Sequence, residues 1–327
     1  MHFNEETVNK MRYYVGIDLG GTNIKAGVVD EEYRILGRGK KKTAVPRPAE
    51  EIMDAMADCA DQAVKDAGLS WADIEAVGVG VPGTANEKTG VVEYANNLYF
   101  ENVPMRDYLS QKLGKLVCIT NDANAAALGE VLAGAAKGAR DAVVVTLGTG
   151  VGGGIIIDGK LFSGFNYGGA ELGHMGIQPG GRECTCGRRG CLEAYASATG
   201  LVKTTKEVMD QHPDSLMWEL YRNNGERVSG RTAFQAAAQG DRAGQLAVDI
   251  YVSQLGYGLA SIINILAPQI LVIGGGVSHE GENLLKPLIK EILPQLYVRD
   301  PQKQTRIVLA TLGNDAGLIG AAFLSRQ

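Results

Sequence analysis

Two segments of the sequence, IDLGGTNIKAGVVD at residues 17–30 and VTLGTGVGGGIIID at residues 145–158, align without a gap at an offset of 128 residues. Each reads as an apolar strand, a glycine-rich turn and a second apolar strand. A chain that carries this unit twice contains two related halves. Each half opens on a β-hairpin whose turn exposes several backbone N–H groups. With 327 residues in the chain, and single domains holding roughly 100 to 200, two domains are expected.

The rest of the pattern is α/β. Buried strands are expected at 13–18 and 24–29, a helix with apolar residues at helical spacing at 50–67, and a strand at 74–81 closed by Pro82-Gly83. A short helix at 105–113, a strand at 115–120 and a helix over 121–138 follow. The second hairpin occupies 142–147 and 154–157. A long polar-to-apolar helix at 241–266 then leads into a strand at 269–273 and a third glycine run.

Exposed N–H groups in glycine turns suit phosphate, and two such turns facing one another would clamp a polyphosphate. Gly148, Gly150 and Gly153 match the spacing of a dinucleotide fingerprint. That fingerprint needs a helix to open at the glycines, and here they run into the strand-like GIIIDGK. The GxxxxGK[ST] loop does not occur in the sequence. In the first hairpin Asp18 precedes Gly20, Gly21 and Thr22, placing a carboxylate where hydrated magnesium would sit beside phosphates. Thr22, Asn23 and Lys25 are candidate donors to phosphate oxygens, although the direction of Lys25 depends on strand register.

Asn121-Asp122 lies between a strand and a helix, at the carboxyl end of a sheet strand, where open α/β folds place ligands. Asp122 is either a helix N-cap, a catalytic base, or both, since a kinase asks only that a carboxylate accept the proton of the attacking hydroxyl. The segment AELGHMGIQPGGRECTCGRRGCLEAY offers His174, Cys184, Cys186 and Cys191 in one loop. Three thiols and an imidazole suit tetrahedral zinc better than redox chemistry, and four protein donors leave no open position, so the ion is expected to be structural. Glu171 and Glu193 flank the loop as rigidly held hydrogen-bond acceptors. Cys59 recurs with Ile52, Met56, Ala63 and Ala67 at helical spacing, and Cys118 lies in an apolar run; both are expected to be core residues.

The net charge of −5 gives no general attraction for nucleic acid or anionic lipid, so neither is expected as a partner. The amino terminus lacks the apolar stretch of a signal peptide, and no segment of about 20 apolar residues is expected elsewhere. A cytoplasmic protein is the expectation, and an odd number of cysteines argues against a disulfide framework.

Taken together, DLGGTNIKAG, NDANAAALGE, GTGVGGG, ELGHMGI and CTCGRRGCLE resemble the ROK family (repressors, open reading frames, kinases), especially its bacterial glucokinases. The resemblance covers nearly the whole chain. It implies an actin-like, ribonuclease H-like ATPase fold with a sugar and ATP cleft between a small domain (1–121 with 313–327) and a large one (122–312) that holds the zinc loop and nucleotide site. It further implies ATP-dependent phosphorylation of a hexose, most like glucose, at the 6-hydroxyl. Asp122 is then the base, and Gly83, Asn97, Asn121, Glu171, His174 and Glu193 bind sugar. Gly20, Gly21 and Thr22 with Gly148, Thr149 and Gly150 serve the phosphates, and Gly274, Gly275, Gly276 and Val277 the adenosine.

ATP, Mg²⁺ and structural Zn²⁺ are the implied cofactors, and a homodimer or homotetramer the implied assembly. Asn96-Asn97 departs from the family's frequent Pro-Asn, and Tyr99-Phe100 stands near a common tryptophan. The family's repressors carry a winged helix-turn-helix ahead of the first hairpin, and here about a dozen residues precede it. An N-acetylmannosamine or N-acetylglucosamine kinase and a sugar-sensing module are the alternatives.

Overall fold

The computed structural model describes residues 11–327. Residues 1–10, which carry most of the stretch ahead of the first strand, lie outside the described residues. The chain divides into two compact units, 1–129 with 314–327, and 130–313.

In the first unit the order is β1 (Tyr13–Leu19), β2 (Asn23–Asp30), β3 (Ile35–Lys42), α1 (Ala49–Asp66), β4 (Ile74–Val81), β5 (Thr84–Asn86), β6 (Val91–Ala95), β7 (Phe100–Val103), α2 (Met105–Leu113), β8 (Leu116–Asn121) and α3 (Asp122–Ala133). Its main sheet runs β3-β2-β1-β4-β8. β2 is antiparallel to both neighbours, whereas β1, β4 and β8 are parallel. α1 buries Ile52, Met56, Cys59 and Ala63 on one stripe, so Cys59 is a core residue as its spacing predicts. Cys118, by contrast, is only half-buried.

β3 has no counterpart in the sequence reading. Its glycines explain why: a methyl group at Gly37 or Gly39 would collide with the Ala63 or Cys59 carbonyl of α1. The strand is thus packed by backbone contact, with no apolar alternation to betray it.

The second unit holds β9 (Ala142–Leu147), β10 (Val151–Ile157), β11 (Lys160–Leu161), α4 (Glu193–Ala196), α5 (Ala198–Gln211), α6 (Met217–Asn223), α7 (Thr232–Ala238), α8 (Arg242–Leu266), β12 (Ile270–Gly274), α9 (Glu282–Ile292) and β13 (Arg306–Leu309). Its sheet, β11-β10-β9-β12-β13, repeats the first: an antiparallel hairpin, then two further parallel strands. This order with an antiparallel second strand, present twice, is the ribonuclease H-like fold of actin-like ATPases.

The two hairpins differ in one respect that the ungapped alignment misses. Leu19 pairs with Ile24, but Leu147 pairs with Val151. The second turn is one residue shorter, closed by Gly148 N–H to Gly150 O, where the first is closed by Gly20 N–H to Asn23 O, both at 3.0 Å. The alignment therefore holds for the leading strand and slips by one in the returning strand.

Two further expectations are corrected. The helix expected over 121–138 stops at Ala133, because Gly134 follows and the buried Glu130 carboxylate takes the Ala135 N–H at 2.7 Å. An apolar stretch of membrane-spanning length does occur: α8 has 25 residues and is long and apolar enough by length and composition. It is the central helix of the second core, where α5, α7 and α9 pack on it and the buried Tyr251 hydroxyl donates to Ala196 O at 2.8 Å.

The chain ends in α10 (Ala316–Ala322), which belongs to the first unit. It lies so close to β1 and β4 that a side chain at Gly16 or Gly78 would strike the Leu318 or Ala321 carbonyl.

Candidate active site

In the first unit the functional candidates gather at one edge of the sheet. Asp18 pairs with Gly80, and Val81 with Asn121, so Asp18, Gly83 and Asn121 all lie at or just beyond the carboxyl ends of three parallel strands. Register also settles Lys25. It sits opposite Asp18, with its ammonium 3.6 Å from the carboxylate. Burial raises the Asp18 carboxyl above its ordinary range, and the neighbouring Lys25 ammonium draws it part of the way back.

The glycine turn is tied down from β3's end, where Thr43 N–H donates to Thr22 O at 3.0 Å and Thr43 Oγ1 to Gly20 O at 2.5 Å. Thr22 itself is exposed, whereas Asn23 Oδ1 is buried without a hydrogen-bond partner among the described residues. Asn97 stands beside this turn, since a Cβ on Gly21 would lie 3.8 Å from the Asn97 Cβ.

Asn121 is the residue that caps α3. Its Oδ1 accepts from the N–H groups of Ala123 at 2.8 Å and Asn124 at 3.3 Å. Its Nδ2 donates to Gly83 O at 3.0 Å, fixing the Pro-Gly turn. The Asp122 carboxylate, half-buried in the first turn of α3, accepts from Ala123 N–H at 2.9 Å through one oxygen.

The second unit gathers its candidates around Glu193, the first residue of α4. One carboxylate oxygen accepts from Val151 N–H at 3.0 Å, and the other from Thr185 Oγ1 at 3.0 Å and Cys184 Sγ at 3.6 Å. Glu193 therefore links the cysteine loop to the Gly148–Thr149–Gly150 turn, an arrangement with no signature in the sequence. The start of α5 is joined to the same turn, with Ala198 N–H on Gly148 O at 2.8 Å and Thr199 Oγ1 on Thr149 O at 2.9 Å. Gly275, at φ +84°, presses its α-carbon against the Leu147 backbone, where any side chain would clash. The 274–277 segment thus adjoins the end of β9. Glu171 is exposed at the head of a short 3-10 turn that ends at His174.

The four expected metal donors come together. One donor atom each from His174, Cys184, Cys186 and Cys191 lies within 4.8 Å of every other. His174 Nδ1 is 3.5 Å from Cys184 Sγ, and Cys186 Sγ is 3.7 Å from Cys191 Sγ. Zinc bonds of about 2.3 Å to sulfur and 2.0–2.1 Å to nitrogen give tetrahedral edges of about 3.8 Å between two sulfurs and about 3.6 Å between nitrogen and sulfur, so these two separations fit the ion. Burial pushes the Cys191 thiol up to about 12 and also raises Cys184, whereas the Arg188 N–H lowers Cys186. Gly190, at φ +81°, brings the loop onto the Gln178 carbonyl, where a Cβ has no room.

Arg182 braces the loop from outside, donating to Thr204 Oγ1 at 3.1 Å and Glu207 at 2.5 Å and lying over the Tyr195 ring. Sequence reading passed over Arg182, as it did Glu87, whose carboxylate accepts from Thr120 Oγ1 at 2.6 Å beside Asn121.

Two ribonuclease H-like units with glycine turns at the strand ends define a protein of the actin-like ATPase class. The ROK family model matches residues 14–327, and the chain belongs to the ROK family. The glucokinase of Streptomyces coelicolor is 39% identical over 318 residues, spanning 96% of this chain and 97% of the relative. That of Halalkalibacterium halodurans is 37% identical over 317 residues, spanning 97% and 96%. A solved ROK family glucokinase from Streptomyces griseus, in complex with glucose and AMPPNP, matches with a TM-score of 0.80 at 39% identity, covering 96% of this chain and 99% of that one.

Proposed function

We propose that this ROK protein transfers the γ-phosphoryl group of ATP to the 6-hydroxyl of glucose. The observation that carries the reading is the setting of Asp122: a carboxylate at the carboxyl end of β8, next to an asparagine locked onto the Gly83 turn, on the unit that also carries the first phosphate turn. Full-length similarity to the glucokinases of Streptomyces coelicolor and Halalkalibacterium halodurans supports it.

In this reading the Asp122 carboxylate accepts the proton of the sugar 6-hydroxyl as that oxygen attacks the γ-phosphorus. The bond from the γ-phosphorus to its bridging oxygen breaks, and ADP leaves. Backbone N–H groups of the two glycine turns hold the phosphates, Gly274 to Val277 the adenosine, and Asn97, Asn121, Glu171, His174 and Glu193 the sugar hydroxyls. Magnesium bound near Asp18 supplies neutralisation of phosphate charge.

A zinc ion held by His174, Cys184, Cys186 and Cys191 supplies rigidity, because a closed donor set has no position for a reacting water. His174 would bind through Nδ1, leaving Nε2 to face the sugar. Through Glu193 the same knot steadies the second phosphate turn.

The test is ADP release measured with glucose, mannose, fructose, N-acetylglucosamine and N-acetylmannosamine. The highest kcat/KM is expected for glucose, with glucose 6-phosphate as product. A clear preference for a 2-acetamido sugar, or sugar binding without ADP release, would overturn the assignment.

A further inference from the structure

Two aromatic side chains that flank Asn97 in the sequence stand in solvent: Tyr94 is 57% and Tyr99 75% exposed. Tyr94 is held by a hydrogen bond from its hydroxyl to Asn96 Oδ1 at 3.3 Å. Among the described residues the Tyr99 side chain has no hydrogen-bond or ring partner.

Its backbone nevertheless adopts φ +57° and ψ +35° at the end of the 3-10 turn Asn96–Leu98, with its N–H on Asn96 O at 3.3 Å. The left-handed region is strained for a bulky residue, and asparagine or glycine would occupy it more easily. The conformation is imposed from both sides, since Leu98 and Phe100 are buried and fix the chain before and after it. Tyr99 is lifted out between two anchors, and its largely exposed ring returns little packing among the described residues to offset the strain. Strain of this kind, held by well-packed neighbours, gathers at ligand-contact positions.

The surroundings indicate which ligand. Asn97, two residues earlier, adjoins Gly21 of the first phosphate turn. A hexose bonded to Asn97 presents its hydroxyls to polar groups and leaves the axial C–H bonds of its ring to be covered. An exposed aromatic face with a polar edge suits that surface.

We propose that Tyr99 is a substrate-contacting specificity residue, its ring packing on the C–H face of the hexose bound at Asn97. The inference rests on the sugar-binding reading of Asn97. It also gives that site a preference for pyranoses whose hydroxyls are all equatorial, because an axial hydroxyl lifts the sugar off the ring.

The test compares Tyr99→Gly, Tyr99→Asn and Tyr99→Phe by thermal midpoint and by the KM values for glucose and ATP. Glycine and asparagine relieve the strain, so their midpoints hold or rise, while their glucose KM increases about five- to tenfold, the scale of one lost aromatic contact. The ATP KM stays level, and Tyr99→Phe, which keeps the ring, brings the glucose KM back toward that of the parent.

A glucose KM within twofold of the parent in the glycine and asparagine variants overturns the proposal. So does a rise accompanied by a lower midpoint and an equal rise in ATP KM. Asn97→Ala separates the two failures. If it leaves the glucose KM unchanged, the sugar is not at Asn97. If it raises the KM while the Tyr99 variants do not, only the role of the ring has failed.

Discussion

Asn121 carries two tasks on one side chain, capping α3 with its oxygen and holding the Gly83 carbonyl with its nitrogen. The two can be separated. Asn121→Ala removes both and should cost about 1 kcal/mol for the cap while raising the glucose KM. Asn121→Asp keeps the capping oxygen but turns a carboxylate on the Gly83 carbonyl. Its thermal midpoint should stay nearer the parent's than alanine's does, while the glucose KM still rises. Equal midpoints and an unchanged KM in both variants would deny Asn121 either role.

Sequence alone left the cap open between Asp122 and a catalytic reading of the same residue. Asn and Asp serve almost equally as caps, and the Ala123 N–H reaches both carboxamide and carboxylate, so only the Asn124 N–H, which donates to Asn121, shows which one does. The clustering of His174, Cys184, Cys186 and Cys191, in contrast, was legible because three cysteines and a histidine fall in one short loop.

At the scale of elements, what could be read followed side-chain pattern, and what could not was made of backbone. Strands β4 and β9 and helix α2 lie where apolar spacing put them. β3 and the one-residue slip between the hairpins escaped because glycines have no side chain to mark a face or fix a register. The link from Glu193 to Val151 spans 42 positions with no local pattern.

α8 offers a direct test of capping at this scale. Asp241 accepts from Gly244 N–H at 2.6 Å, Leu216 N–H at 2.7 Å and Ser215 Oγ at 3.0 Å. Burial works against its charged form, but the Gly244 and Leu216 N–H groups outweigh it and hold the carboxyl below its ordinary value of 3.8. A lowered carboxyl contributes stability above its ordinary pKa and loses it as the pH falls through the folded value. Asp241→Ala should therefore destabilise the second unit by about 2 kcal/mol at neutral pH. The gap from the parent should narrow as the pH drops below about 4. A gap that stays constant in chemical denaturation from pH 7 to pH 3 would contradict this.

Across the whole molecule, the same five-stranded sheet is used twice and elaborated differently. The first unit adds the small sheet β5-β6-β7 that carries the Asn97 turn, and the second adds α4 to α7 and the cysteine loop. The duplication was legible from two glycine hairpins, whereas the ribonuclease H-like fold class followed from the resemblance to the ROK family. Zinc in the loop should act on the second unit as a whole, because the loop holds Glu193 and Glu193 holds the glycine turn at 148–150. Purified protein should contain roughly one zinc per chain, as a closed four-donor site implies. Cys191→Ser or exhaustive chelation should lower the thermal midpoint and raise both glucose and ATP KM. Zinc-free protein with unchanged KM values would remove the metal from the account.

The central claim is that Asp122 takes the proton of the attacking hydroxyl, and Asp122→Asn tests it most directly. Glucose affinity by calorimetry and kcat by ADP release should be measured on the same preparation. The account predicts a kcat lowered by about 10² to 10⁴ with the glucose Kd within a few-fold of the parent's. Turnover close to the parent's in a variant that still binds glucose would contradict it.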